Sequence, residues 1–164
     1  MSKMYDYHTI IVGTDGSPLA APTVARAAWL AAHNDADLVI VCAYAQLTPR
    51  QEARAVAAVG EPPVGQVLGR TAASSAIADA VAAAQEQGAT ISAALLVDGE
   101  PATALLSTAK ERAADLVVVG ALQDTSIVDR LLGTVATEVV RRAECEVLIV
   151  RPRHEAADTA APPA

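Results

Sequence analysis

Short apolar runs alternate with stretches of helical spacing from one end of the chain to the other, and that alternation leaves few architectures open. The runs are about His8 to Val12, Leu38 to Ala43 (LVIVCA), Thr90 to Val97, Leu116 to Val119 (LVVV) and Val147 to Val150 (VLIV). Runs as continuously apolar as LVIVCA and LVVV suit strands buried on both faces, the condition inside a parallel sheet covered by helices. Ser17 is placed to cap a first helix that begins with Pro18 and ends near Ala32, before His33-Asn34-Asp35. Thr71 to Gln87 reads as a helix stopped by Gly88, Pro101 to about Ala113 as another, and Thr134 to Arg142 as the last. Right-handed crossovers then give an α/β fold, a three-layer doubly wound sheet of five parallel strands.

Gln46 to Arg70 carries Pro49, Gly60, Pro62, Pro63, Gly65 and Gly69 and reads as a mobile loop with one helical turn, either functional or a tolerated insertion. His154 to Ala164 is polar and rich in Ala and Pro, so residues 1–152 are expected to form a single domain and 153–164 a disordered C-terminal tail.

With 164 residues one core suffices, and with no Phe and one Trp it must be built from Val, Leu, Ile and Ala. A net charge of −7 argues against a nonspecific grip on nucleic acid. No apolar run approaches the roughly 20 residues that span a bilayer, and MSKMYDYHTIIVG lacks the zones of a signal peptide, so a cytoplasmic protein without a membrane partner is expected. Cys42 and Cys145 read as small buried residues. His8, His33 and His154 are too far apart for metal-ligand spacing, and neither Ser74-Ser75 nor the lone Asp15 has partners for nucleophilic or acid–base catalysis.

Two strand-to-helix turns carry the functional signal. In Asp115 to Arg142, a buried strand runs through a polar loop into a helix opened by Gly133-Thr134, which directs free backbone N–H groups and a positive helix end at any docked anion. In His8 to Ser17 the turn Gly13-Thr14-Asp15-Gly16-Ser17 places an acid just past the first strand. Both turns fall at carboxyl ends of strands, where ligands bind in such sheets. Neither matches a P-loop or a G-x-G-x-x-G dinucleotide turn.

The strings Thr9 to Ser17, Gly99-Glu100-Pro101, Ala114 to Gly120, Leu131 to Val135 and Cys145 to Arg151, in this order and spacing, resemble the universal stress protein family over about residues 5 to 152. The resemblance implies a Rossmann-like sheet of strand order 3-2-1-4-5, of the adenine nucleotide alpha hydrolase-like type, that binds ATP, AMP or cyclic AMP, with Mg²⁺ an optional companion. The family's ATP-binding motif is G-x2-G-x9-G-[ST]; Gly120, Gly133 and Thr134 match it, and Gln123 replaces its second glycine. By resemblance, Asp15 contacts the sugar or base, Gly13 and Thr14 shape its turn, Val41 lies against adenine, Gly120 allows close approach of the ligand, Gly133, Thr134 and Val135 meet the phosphates, and Val119 and Gln123 complete the nucleotide-binding set. Four of them have a plainer alternative. Asp15 could cap its own turn, Val41 could be core, Gly120 could end its strand and Thr134 could be an ordinary N-cap.

Gln123 adds bulk to the loop, and Asp124 and Asp129 add negative charge, so AMP or cyclic AMP is easier to accommodate than a triphosphate. Arg130 is expected to face solvent or pair with one of those aspartates, and Arg141-Arg142 to complement the helix dipole. The last strand, Val147 to Val150, would be a free edge, and a homodimer through it is the expected assembly. The functional expectation is a sensor or regulatory module in the stress response; a nucleotide-independent dimeric interaction module and a weak ATP hydrolase are the alternatives.

Overall fold

The strand sequences sort by burial as a covered parallel sheet requires. A computed structural model of the chain describes residues 6–57, 67–121 and 132–151. In it β1 (Thr9–Gly13), β2 (Asp37–Tyr44) and β4 (Leu116–Gly120) are almost wholly buried, whereas β3 (Thr90–Asp98) and β5 (Glu146–Val150) are largely half-buried. The sheet has the order β3-β2-β1-β4-β5 with every pairing parallel, which puts the three most buried strands in the middle and the other two at the edges. Successive side chains point to opposite faces, so each central strand feeds two cores. Ile10, Val12, Leu38, Ile40, Leu116 and Val118 pack on one face against α1 (Ala20–Asn34) and α3 (Arg70–Glu86). Ile11, Val39, Val41, Val117 and Val119 pack on the other against α4 (Pro101–Glu111) and α5 (Thr134–Arg142).

The helices meet the sheet through alanine. Ala27, Ala28 and Ala31 of α1, Ala80 and Ala84 of α3, Ala102, Ala104 and Ala109 of α4 and Ala136 of α5 are all buried. Short side chains let the helices sit close to the Val and Ile of the strands, which compensates for the missing large aromatics.

Two helix starts differ from the sequence reading. α1 begins at Ala20, not Pro18, and Ser17 does not cap it. The Asp15 carboxylate accepts the Ser17 N–H at 2.9 Å, and the Ser17 carbonyl accepts the Ala20 N–H at 3.0 Å, so the N–H a serine cap would take is already engaged. The segment read as a loop contains a nine-residue helix, α2 (Pro49–Ala57). Its start is a capping box, in which the Thr48 N–H donates to Gln51 Oε1 at 3.0 Å while the Gln51 N–H reaches Thr48 Oγ1 at 3.4 Å. Pro49, read as a breaker, occupies the first helical position, where its missing N–H has no consequence. Residues 58–66, the segment holding Gln123, Asp124, Asp129 and Arg130, and the tail 153–164 lie outside the described residues. No helix among the described residues is long and apolar enough to cross a membrane.

Glycine matters most at Gly16, with φ +74°, where a Cβ would stand 2.7 Å from Ala76 Cβ on α3. Gly88 has a similar φ of +78° and open space around it. Gly88→Ala is therefore expected to lower stability by only about 1 kcal/mol, the cost of a left-handed alanine, and Gly16→Ala by clearly more, because α3 must also move. Urea denaturation of the two variants checks the order, and equal losses would contradict it.

Candidate functional site

The winding of the sheet reverses between β1 and β4, whose chains leave for opposite faces, α1 on one side and the α5 face on the other. Carboxyl ends of adjacent strands diverge at such a point and leave a crevice. Gly13 and Gly120 are the last residues of these two strands and both line it. A Cβ on Gly120 would lie 3.1 Å from Thr23 Oγ1, and one on Gly13 3.2 Å from the Leu105 methyl groups. The crevice exists because these two strand ends carry no side chain.

Thr14, Asp15, Val41, Val119 and Val135 complete a set of seven sequence-predicted residues around this one cavity. Gly133 and Thr134 are not among its lining residues and immediately precede Val135 in the chain. Gln123 lies outside the described residues. Seven further residues line the same cavity: Ser17, Leu19, Ala20, Thr23, Ala43, Pro101 and Leu105. Most are helix starts or strand ends that read in sequence as core or caps. Two carried a signal: Ser17, which ends the turn singled out above, and Thr23, a hydroxyl next to Val24 on the buried face of α1. A second hollow of about 310 Å³ shares Ala43 and Pro101 with the first and is otherwise walled by Tyr44, Ala45, Val67, Leu68, Gly99 and Glu100.

The Gly13 to Ser17 turn is held from both sides. The Thr14 N–H donates to the Val41 carbonyl at 2.9 Å, extending the β1–β2 ladder by one step, and the Gly16 N–H donates to Thr14 Oγ1 at 3.2 Å. Asp15 closes an Asx turn onto the Ser17 N–H. Its plainer role is therefore real, and the same turn keeps Asp15 on the cavity wall.

Three helices start at the crevice, with different ends. α4 is capped by Glu100, whose carboxylate accepts the Ala102 N–H at 3.1 Å and the Thr103 N–H at 2.9 Å. α5 has Gly133 at its N-cap, so Thr134 is its first helical residue rather than its cap, and neither a side-chain cap nor an acid in the first turn occupies this end. The Gly133 N–H is bound to the Ala121 carbonyl at 2.8 Å. The N–H groups that follow in the first turn of α5 are those that an anion could receive. α1 likewise has no side-chain cap, but Pro18 and Pro22 supply no N–H there.

Burial, with the charge of Asp15 adding to it, pushes the Cys42 thiol up to about 11. It is a protonated packing residue beneath the site. Cys145 is also free and raised by burial. No group of three or more His, Cys, Asp and Glu among the described residues is arranged to hold a metal ion. Arg141 and Arg142 end α5, where both approach Glu138.

Known proteins share the family and the fold. A profile of the universal stress protein family matches residues 6–151. Universal stress protein Rv1636 of Mycobacterium tuberculosis is 39% identical over 147 residues, covering 90% of this chain and 98% of the relative. A crystal structure of a universal stress protein in complex with cAMP aligns with a TM-score of 0.65 and 34% identity, over 90% of this chain and 98% of that one. A universal stress protein from Archaeoglobus fulgidus, at 22% identity and a TM-score of 0.67 over 87% and 98% of the two chains, shares the fold.

Partial burial of Glu100 resists its ionisation, but the N–H groups of Thr103 and Ala102, the Thr103 hydroxyl and the charge of Arg142 outweigh this and hold the carboxyl below its usual value. A lowered folded-state value means that the cap's contribution is complete above the ordinary glutamate range and is lost as the pH falls through the lowered one. Glu100→Ala should cost about 1 kcal/mol at neutral pH, with the difference from wild type shrinking as the pH falls from about 5 towards 3. Thermal melts across that range read it, and a pH-independent difference would refute the charged cap.

Proposed function

The chain belongs to the universal stress protein family, and on that premise we propose that it binds an adenine nucleotide in the β1–β4 crevice and acts as a sensor or regulatory module in the stress response. The observation that carries the reading is the convergence of Gly13, Thr14, Asp15, Val41, Val119, Gly120 and Val135 on one cavity beside the uncapped start of α5. Asp15 contacts the sugar or base from the turn that Gly13 and Thr14 shape, and Val41 packs against adenine. Gly120 admits the chain of ligand atoms towards α5, where the N–H groups of Thr134 and Val135 receive phosphate and Gly133, its own N–H held by Ala121, opens the helix. The crevice is lined by apolar side chains with few polar ones, as small-molecule sites are.

A monophosphate, AMP or cyclic AMP, suits the site better than ATP, with or without Mg²⁺. Gln123 stands where the family motif has glycine, and Asp124 and Asp129 lie in the segment leading into α5, adding negative charge to the approach of further phosphates. The cAMP complex of a relative at 34% identity supports the same choice. In this reading residues 1–152 act as one domain and 153–164 as a tail.

β5 lies at the end of the strand order, and α5 on the adjoining face exposes 48% of Val140. Strand edges with apolar side chains invite pairing, and we read this edge, Val147 to Val150, as the contact of a homodimer. Light scattering after size-exclusion chromatography should give twice the chain mass at micromolar concentration, and a monomer mass would overturn that assembly.

Calorimetric titration with AMP, cyclic AMP and ATP, each with and without Mg²⁺, tests the site. AMP and cyclic AMP are expected to bind more tightly than ATP, and Gly120→Val, whose side chain occupies the space beside Thr23 that the ligand needs, to weaken them by at least about tenfold. No heat at millimolar nucleotide would overturn the reading in favour of a nucleotide-independent interaction module.

A further inference from the structure

Ser17 carries a polar group that the fold itself leaves unused. Its residue is 5% exposed, its hydroxyl is buried, and that oxygen has no hydrogen-bond partner. Its backbone is fully engaged, with the N–H on Asp15 and the carbonyl on Ala20, so the side chain is not needed to build the turn. Ser17 also lines the cavity with Thr14 and Asp15. A buried hydroxyl without a partner is destabilising, and natural folds keep few of them without a use.

The end of the crevice where Ser17 sits is unsuited to phosphate. Pro22 removes one N–H group from the first turn of α1, the Ala20 N–H is already taken by the Ser17 carbonyl, and the Asp15 carboxylate is two residues away. The start of α5 has neither proline nor acid in its first turn. Anionic ligand atoms therefore belong at α5, and neutral polar atoms at the Ser17 end.

We propose that Ser17 is a specificity-determining residue whose Oγ hydrogen-bonds the nucleoside part of the bound adenine nucleotide. The inference rests on the nucleotide reading above and adds a contact to it. A serine hydroxyl can both donate and accept, so it meets either a ribose hydroxyl or a polar edge of the base. Without such a ligand the hydroxyl is an unsatisfied group; with it the group is paired, and a ligand presenting carbon at that place would be rejected.

The test is Ser17→Ala in the full chain, titrated calorimetrically with adenosine, AMP and cyclic AMP and melted without ligand. The expected result is a loss of affinity of about three- to tenfold, similar for all three ligands because the lost bond is to their shared nucleoside. The unligated variant should melt at or above the wild-type temperature, since an unpaired polar atom has been removed. A variant that binds all three like wild type overturns the assignment of Ser17 alone, as does a loss confined to the two phosphorylated ligands. A lower unligated melting temperature assigns Ser17 a purely structural role and also overturns it. Wild-type protein that binds none of the three removes this inference together with the nucleotide reading.

Discussion

Everything in this fold depends on covering both faces of three central strands with helices whose buried positions are mostly alanine. β1, β2 and β4 have no exposed face to spare, and each hands alternate residues to two separate cores. Alanine on four helices satisfies that requirement by proximity rather than by bulk. The helices must then start and stop where the strands do, and their ends collect at the rim of the sheet. The crevice at the β1–β4 junction is a result of the same geometry that closes the cores.

Function in this family of arrangements is set by what each helix end leaves unsatisfied. α4 satisfies its own N–H groups through Glu100, α1 has lost one donor to Pro22 and another to the Ser17 carbonyl, and α5 keeps its donors without a side-chain cap. One rim thus presents a neutralised end, a donor-poor end flanked by a carboxylate and a hydroxyl, and an open positive end. A molecule with a polar neutral part and a compact anion is complementary to that sequence of environments.

Much of this was legible in the chain itself. The strands β2 and β4 were readable because burial on both faces leaves uninterrupted apolar runs, and α5 because its cationic end and Gly-Thr start bracket it. The convergence of Gly13 to Asp15 with Gly120 and Val135 followed from the position of both turns at strand ends. Ser17 was misread because a serine before a proline is a common helix start, and only the competing Asx turn of Asp15 shows why the hydroxyl is free for another use. α2 was missed although Thr48-Pro49-x-Gln51 spells its start, since the prolines and glycines around it drew the reading towards a loop. Ala43, Pro101 and Leu105 were invisible as wall residues, because an apolar side chain facing a cavity has the same sequence pattern as one facing a core.

The Asp115 carboxylate accepts the N–H groups of both His8 and Thr9, at 2.7 and 2.8 Å, and so fastens the first strand from a point 106 and 107 residues further along the chain. β1 also has β4 as one of its two neighbours. The earliest strand to leave the ribosome is thus the one whose place is settled late. Until the segment around Asp115 has emerged, one whole edge of β1 is an apolar strand with open hydrogen-bonding groups, and during synthesis that exposed edge is where a nascent chain of this design is most open to mispairing.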